Sequence, residues 1–215
     1  MLNLSADQLL TTTRSVRKRL DFDRPVDRDV IRRCLEIAFQ APNGSNLNSW
    51  KWVVVDDPAI IREAARLYNQ GTDDFIATLG DAVGDNYAGA GVPGFDGISA
   101  SVEYLRQNMH RVPAILFPLM AGRVEHSGVF WQASAYGSIV QATWSFFLAL
   151  RERGMGSAWT TAHLWREKEM AALLGVPFAR YTQIGLFPIA HTLGTDFSTA
   201  YRKSFDDVAS WNLFQ

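Results

Sequence analysis

The sequence predicts a single domain of interspersed α-helices and β-strands, and three observations point there. Of 215 residues, 47% are apolar and 20% charged, ample for a large core and unlike the polar composition of disordered chains. Apolar residues recur at helical spacing in several stretches. Between these lie short runs such as "WKWVVVD" and "VPAILFPLMAG", whose brevity and unbroken apolar character read as strands. The chain carries no internal repeats.

Ser5 is placed to cap a first helix whose Leu9 and Leu10 lead up to Arg14. Asp27 caps a second, with Val30, Ile31, Leu35, Ala38 and Phe39 on one stripe and a stop near Pro42. "WKWVVVD", from Trp50, reads as a buried strand, and Asp57 with Pro58 makes the cap and first turn of a third helix through Tyr68. Residues 71–100 hold seven of the sixteen glycines and little apolar periodicity. They read as a mobile excursion with at most a short helix inside, a lid rather than a linker. Helix resumes in "SVEYLRQNM" and strand in "VPAILFPLMAG", before a long helix from Val129. "GSAWTT" reads as a short strand or turn, "REKEMAALLG" as a helix ended by Gly175, and "TQIGLFPIAHT" as a further strand.

Two of these segments ask for a covering surface. The helix from Val129 is apolar almost all round, which predicts burial on every side. Ser134, Ser138, Gln141 and Ser145 nonetheless trace a polar strip along it. Partners for that strip could come from a second helix across a homodimer axis, from a polar ligand, or from water and backbone groups. The tail at about 194–215 carries Phe197, Tyr201, Phe205, Trp211 and Phe214 without an evident element, and needs a surface in its own subunit or a partner.

Charge and cysteine content narrow the function classes. A formal net charge of −1 gives no reason to expect nucleic acid or an anionic membrane as a partner, so any anion site must be local. Cys34, the single cysteine, falls at an apolar helical position and reads as a buried small hydrophobe in a protein of the reducing cytoplasm. The longest apolar run of the long helix, "FFLAL", is far short of the ~18 residues of a membrane span. The opening "MLNLSADQLL" lacks the pattern of a signal peptide.

Conventional catalytic motifs are not evident. "GAGVPG" matches G-x-G-x-x-G at Gly89, Gly91 and Gly94, but no strand precedes it, Pro93 lies inside it, and His110 and Arg111 stand where a ribose-binding acid belongs. It reads as loop glycine. His110, His126, His163 and His191 are scattered without metal-ligand spacing, so no metal site is expected, and there is no G-x-S-x-G elbow. Polar and basic residues concentrate instead at three places. One is "TTTRSVRKRLDFDRPV" from Thr11, with five basic side chains between Arg14 and Arg24. The others are "APNGSNLNSW" from Ala41 and "YRKSFDDV" near the end.

Taken in order, these blocks carry a resemblance. "RSVRKR…PV" followed by "APNGSNLNSWKWVVV" is similar to the opening of the FMN-dependent nitroreductase family, and "ALRERGMGSAW", "LLGVP" and "IGLFPIAH" are similar to its later blocks, from about Leu9 to Trp211. The resemblance implies an α+β nitroreductase-like fold, a central mostly antiparallel sheet flanked by helices, in an intertwined homodimer with FMN at the subunit interface. It implies that Arg14 and Ser15 bind phosphate and ribityl oxygens and that Arg17 approaches the N1/O2 edge of the flavin. Pro42, Asn43, Gly44, Ser45 and Asn46 would reach the partner's flavin, Trp159, Thr160 and Thr161 would lie by N5 and O4, and Arg202 with Lys203 would clamp the phosphate. The tail would wrap the partner subunit. Two positions depart from the pattern: Thr13 replaces a usual basic residue, and Asn48–Ser49 stand where many members have Gln-Pro.

Elementary chemistry agrees with the implied roles. A phosphate monoester carries close to two negative charges, which guanidinium groups bind through charge-assisted, often bidentate bonds. A cation at the N1 edge stabilises the charge that reduction deposits there, so Arg17 would raise the reduction potential. Lys18, Arg19 and Arg24 are read as solvated surface. The implied activity is an oxidoreductase that takes hydride from NADH or NADPH at flavin N5 and passes it to a small-molecule acceptor, a nitroaromatic or quinone, in two half-reactions at one site. Stacking and proximity supply most of the catalysis, without an indispensable acid–base residue, and the N5 donor is the backbone N–H of Thr160 or Thr161. The alternatives are the same fold with a specialised acceptor such as a halogenated aromatic or with a deazaflavin donor, and a non-enzymatic flavin carrier or sensor.

Overall fold

A computed structural model describes residues 1–82 and 95–214. The capping signals are realised as read. α1 (Ala6–Thr12) has Ser5 and Gln8 in a reciprocal capping box, and α2 (Arg28–Ala38) follows the short strand β1 (Leu20–Asp21) with Asp27 accepting from the Asp29 N–H. The α2 stripe buries Ile31, Cys34 and Ala38. Burial pushes the Cys34 thiol pKa up to about 11, so it is an inert core group. β2 (Trp50–Val55) is an edge strand with Lys51 exposed, rather than the fully buried strand expected.

The main difference from the sequence reading lies at 71–100. α3 (Pro58–Ala82), opened by Asp57 accepting from the Ala59 N–H, runs a dozen residues past Tyr68, and α4 begins at Phe95 (Phe95–Asn108). Both ends of the supposed excursion are therefore helical, and the rest of it, "GAGVPG" included, lies outside the described residues. Gly71 explains the error. A Cβ there would sit 2.1 Å from the Ala162 carbonyl oxygen, so the glycine permits a close helix crossing rather than a loop. Arg106 of α4 pairs with Asp73, and Arg166 pairs with Asp74 at 2.8 Å, which fixes this half of α3.

β3 (Ala114–Ala121) is the central strand, antiparallel to β2 on one side. On its other side it meets two later strands end to end. α5 (Val129–Glu152), β4 (Met155–Gly156) and α6 (Glu167–Leu173, stopped at the left-handed Gly175) come first. "TQIGLFPIAHT" then divides into β5 (Tyr181–Gln183) and β6 (Phe187–Thr192), both antiparallel to β3. Pro118 stands mid-strand at that division. Because the Ala121 N–H faces β2, alternation turns the Pro118 position away from β2, toward the gap where β6 gives way to β5. The path β1-β6-β3-β2, with β4 on β6 and β5 on β3, makes a six-stranded antiparallel sheet.

Both faces of the sheet are covered. Ile115, Phe117, Leu186 and Ala190 pack with α3 and Met170, while Ala114, Leu116, Phe187 and Ile189 pack with α2 and α5. Among the described residues, no helix is long and apolar enough to cross a membrane. The long helix is not buried on every side within the chain: Phe130 is 73% exposed and Trp131 65%, with Val129 and Trp144 also open. The tail has one short helix, α7 (Phe205–Val208), and exposes Tyr201, Phe205, Trp211 and Phe214.

Candidate functional site

The segment after α1 is tied to the sheet through β4. The Val16 N–H donates to the Ser157 carbonyl at 2.8 Å, and Ser15 and Ser157 form a parallel bridge. A Cβ on Gly156 would come within 2.7 Å of Val16, so glycine is what lets the two segments lie together. This places Arg14, Ser15 and Arg17 beside the stretch that continues into Trp159, Thr160 and Thr161. Trp159 is fixed by an edge-to-face contact with Phe187, centroids 4.9 Å apart. Thr160 is bonded to Leu186 twice, accepting its N–H at 2.9 Å and donating Oγ1 to its carbonyl at 2.6 Å. Thr161 follows, exposed, and leads into a short 3-10 turn at Ala162–Arg166.

Arg14, Ser15, Arg17 and Lys18 line a cavity of about 300 Å³, closed by Ser101 of α4 and by Phe197 and Ser198 at the root of the tail. Arg17 is half-buried, and its Nη1 donates to Ser101 Oγ at 3.4 Å. Burial lowers its pKa, opposed by the neighbouring Tyr68, whose own pKa burial raises. Among the described residues, no carboxylate forms an ion pair with Arg14, Arg17 or Lys18. The one carboxylate among the described residues of the lining, Asp196, is paired with Arg19.

Arg19, read from sequence as solvated, is a structural clamp. It donates to the Leu193 carbonyl at 2.8 Å, pairs with Asp196 at 2.6 Å and lies 4.2 Å over the Phe197 ring. Its partners stand more than 170 positions away, so nothing in the local sequence signals the role. Arg24 is exposed, as expected.

The other two predicted groups lie elsewhere in the chain. Asn43 to Asn46 form a turn against α5, where the Gly44 N–H donates to Ser138 Oγ at 2.9 Å and Ser138 donates on to the Ser134 carbonyl. The backbone thus supplies a partner to Ser138 on the polar strip of α5. The turn is unusual: Ser45, Asn46 and Asn48 all have φ near the left-handed value, at 51°, 54° and 51°. Asn43 Oδ1 accepts from the Asn48 N–H at 2.9 Å. A proline at 49 would confine residue 48 to extended backbone, so Ser49 is what allows this conformation. Asn43 and Gly44 line a second cavity of about 290 Å³ with Trp50, Met120, Arg123 and Trp131. Pro42 is exposed just before them. Arg202 and Lys203 are exposed in the tail, where Arg202 donates to the adjacent Tyr201 carbonyl. Within one chain, then, neither the turn nor this pair joins the lining of the Arg14–Arg17 cavity.

An antiparallel sheet covered by helices on both faces, with a basic cavity beside β4, defines an α+β protein. The sequence matches the model of the nitroreductase family over residues 10–191, and the chain belongs to that family. Solved structures with the same fold include a BluB-like flavoprotein from Clostridium difficile 630 (TM-score 0.72, 14% identity, 97% of this chain and 99% of that one). An FMN- and NADPH-dependent nitroreductase, NfnB, from sphigopyxis sp. strain HMH gives 0.70 at 22% identity, covering 98% and 100%. An oxidized iodotyrosine deiodinase bound to FMN and 3-iodo-L-tyrosine gives 0.71 at 17%, covering 95% and 98%. A comparison with curated proteins returns no match.

Proposed function

We propose that the protein is an FMN-dependent oxidoreductase that moves hydride from NADH or NADPH to a small electron-poor acceptor, a nitroaromatic or quinone. The observation that carries this reading is the basic cavity, in which Arg14, Ser15, Arg17 and Lys18 converge beside Ser157–Thr161. Its donor set fits a phosphate dianion, since Arg14, Arg17 and Lys18 form no carboxylate ion pair among the described residues and Ser15 adds a hydroxyl. FMN bound there supplies a hydride-accepting and hydride-donating ring.

The chain's own residues do the rest. Arg14 and Ser15 hold the phosphate end, and Arg17, positioned by Ser101, presents its charge to the pyrimidine edge. The pair of hydrogen bonds between Thr160 and Leu186 stiffens the backbone, so that the N–H of Thr160 or Thr161 serves as a fixed donor to the reacting edge. The turn from Pro42 to Asn46 and the tail cations Arg202 and Lys203 complete the site in a homodimer. Support for the dimer comes from the open aromatic end of α5 and the exposed aromatic tail.

Acid release of the cofactor from freshly purified protein, followed by chromatography, tests the reading. FMN is expected; FAD, or no flavin, overturns it. Stopped-flow mixing of the loaded protein with NADH or NADPH then tests the activity, with rapid bleaching expected. Absence of bleaching within minutes would favour a carrier or a deazaflavin-dependent enzyme.

A further inference from the structure

Arg151 stands out as a buried cation that forms no ion pair among the described residues. It lies in the last turn of α5 and is 5% exposed. One nitrogen, Nη2, donates to Thr12 Oγ1 at 3.3 Å, while Nε and Nη1 are buried without a hydrogen-bond partner. It makes no salt bridge to either of the charged side chains nearest it, the Glu152 carboxylate and a second cation, Arg19. Ser157 Oγ, also buried and unpartnered, faces the same small void of about 10 Å³. A buried guanidinium with two idle donors costs several kcal/mol unless an anion or water satisfies it.

Arg151 lies next to the basic cavity, behind a shared wall. The void and the cavity share Arg14, Val16 and Phe197 as walls. The Phe197 ring covers the Arg151 guanidinium at 4.9 Å, while the Ser198 carbonyl takes a bond from Arg14 at 3.1 Å. The root of the tail therefore takes one donor of Arg14 and places an aromatic ring between the Arg151 guanidinium and the cavity. A void of this size holds about one water and no phosphate, so an anion reaches Arg151 only when Phe197 moves. Phe197 is half-buried, packs on the core and lies against the Arg19 and Arg151 guanidinium groups, so an anion that displaces it must replace those contacts.

We propose that Arg151 is a further phosphate ligand of the basic cavity, reached by displacement of Phe197 and taking the place of the basic residue that Thr13 lacks. With Phe197 aside, Nε and Nη1 of Arg151, Ser157 Oγ and Arg14 converge on one anion, a constellation of charge-assisted donors. The proposal rests on the FMN reading of the same cavity.

Comparing affinities for FMN and riboflavin isolates the phosphate, because the two differ only there. Both are measured by flavin fluorescence quenching on apoprotein prepared from the holoprotein, for wild type, Arg151→Met, Arg151→Lys and Phe197→Ala. Wild type should prefer FMN, and Arg151→Met should cut that preference about tenfold or more while riboflavin affinity holds. Phe197→Ala should raise the FMN-over-riboflavin preference. If Arg151→Met does not fold, Arg151→Lys decides, since an ammonium cannot present two nitrogens of a planar fork; a several-fold loss of preference is expected. An unchanged FMN-over-riboflavin ratio in the folded variant overturns the role of Arg151 and leaves the cofactor reading intact. A wild type that binds neither flavin overturns that reading, and the proposal with it.

Discussion

A guanidinium taken out of water keeps its charge at a free-energy cost, and that cost is recovered where an anion comes to meet it. Arg17 is in this position, half-buried with its pKa lowered by burial and with a serine rather than a carboxylate as its partner. Arg14 is more open and touches the tail. If Arg17 faces the ring edge where reduction deposits charge, Arg17→Gln should lower the flavin reduction potential more than Arg14→Gln does. For a two-electron couple ~30 mV corresponds to ~1.4 kcal/mol, and dye-coupled titration resolves such a difference. Equal potentials would reduce Arg17 to a binding residue. Arg14→Ala should instead weaken FMN binding by ~1.5–3 kcal/mol, the range for a hydrogen bond to a charged group; unchanged affinity would remove it from the site.

His163 makes the opposite kind of case. It is fully buried, edge-on to Phe117, and burial pushes its pKa down to about 3, a shift the neighbouring Gln183 only partly opposes. The unfolded chain protonates this ring below about 6.5, whereas the folded chain holds it neutral until about 3. Folding therefore excludes a proton across that window, and stability should fall as pH drops through it, by up to ~1.4 kcal/mol per pH unit. Urea denaturation should show a shallower pH slope for His163→Gln than for wild type in this range. Equal slopes would mean the imidazole protonates in place. At this scale the basic run from Arg14 to Arg24 was legible, because density of charge is a local signal, and Arg14, Ser15 and Arg17 line one cavity. Arg19, Arg151 and His163 were opaque, since what they do depends on groups that only folding brings near.

Elements were legible where a cap or a period marks them, and misread where packing overrides both. Ser5, Asp27 and Asp57 announce three helices, and each has the predicted partner N–H. Gly71 announces a break that does not occur, because its missing side chain makes room for the Ala162 carbonyl. Gly71→Ala would gain ~0.5–1 kcal/mol of intrinsic helix preference. The clash with backbone should outweigh this, leaving a net destabilisation of ~1–3 kcal/mol seen as a lower midpoint in urea. A variant more stable than wild type would show that the crossing can yield. The division of β5 from β6 was likewise invisible, since an unbroken apolar run says "buried" without saying where one strand ends. Only the pairing with β3, and Pro118 at the junction, reveal it.

The whole molecule gathers half of the implied site in one chain and leaves the rest displayed. Arg14, Ser15 and Arg17 share a cavity, and the Ser15–Ser157 bridge brings the start of the Trp159–Thr161 stretch alongside; the left-handed turn at Ser45–Asn46 and the tail cations lie apart. A sequence read one copy at a time reports such pieces without their assembly. The open aromatic end of α5 and the tail together should bury more than ~2,000 Å² in total, the range of obligate interfaces, so folding, dimerisation and cofactor retention should be one linked equilibrium. Trp131→Asp, at an exposed position beside the turn, should loosen the dimer and release flavin together. Release of flavin from an intact dimer would separate the two. Sedimentation of the wild-type protein at micromolar concentration, followed at the flavin's visible absorbance, tests the shared site most directly. The account predicts one flavin-bearing boundary at about 48 kDa, twice the chain's 24.0 kDa. A flavin-bearing boundary at 24.0 kDa would contradict it.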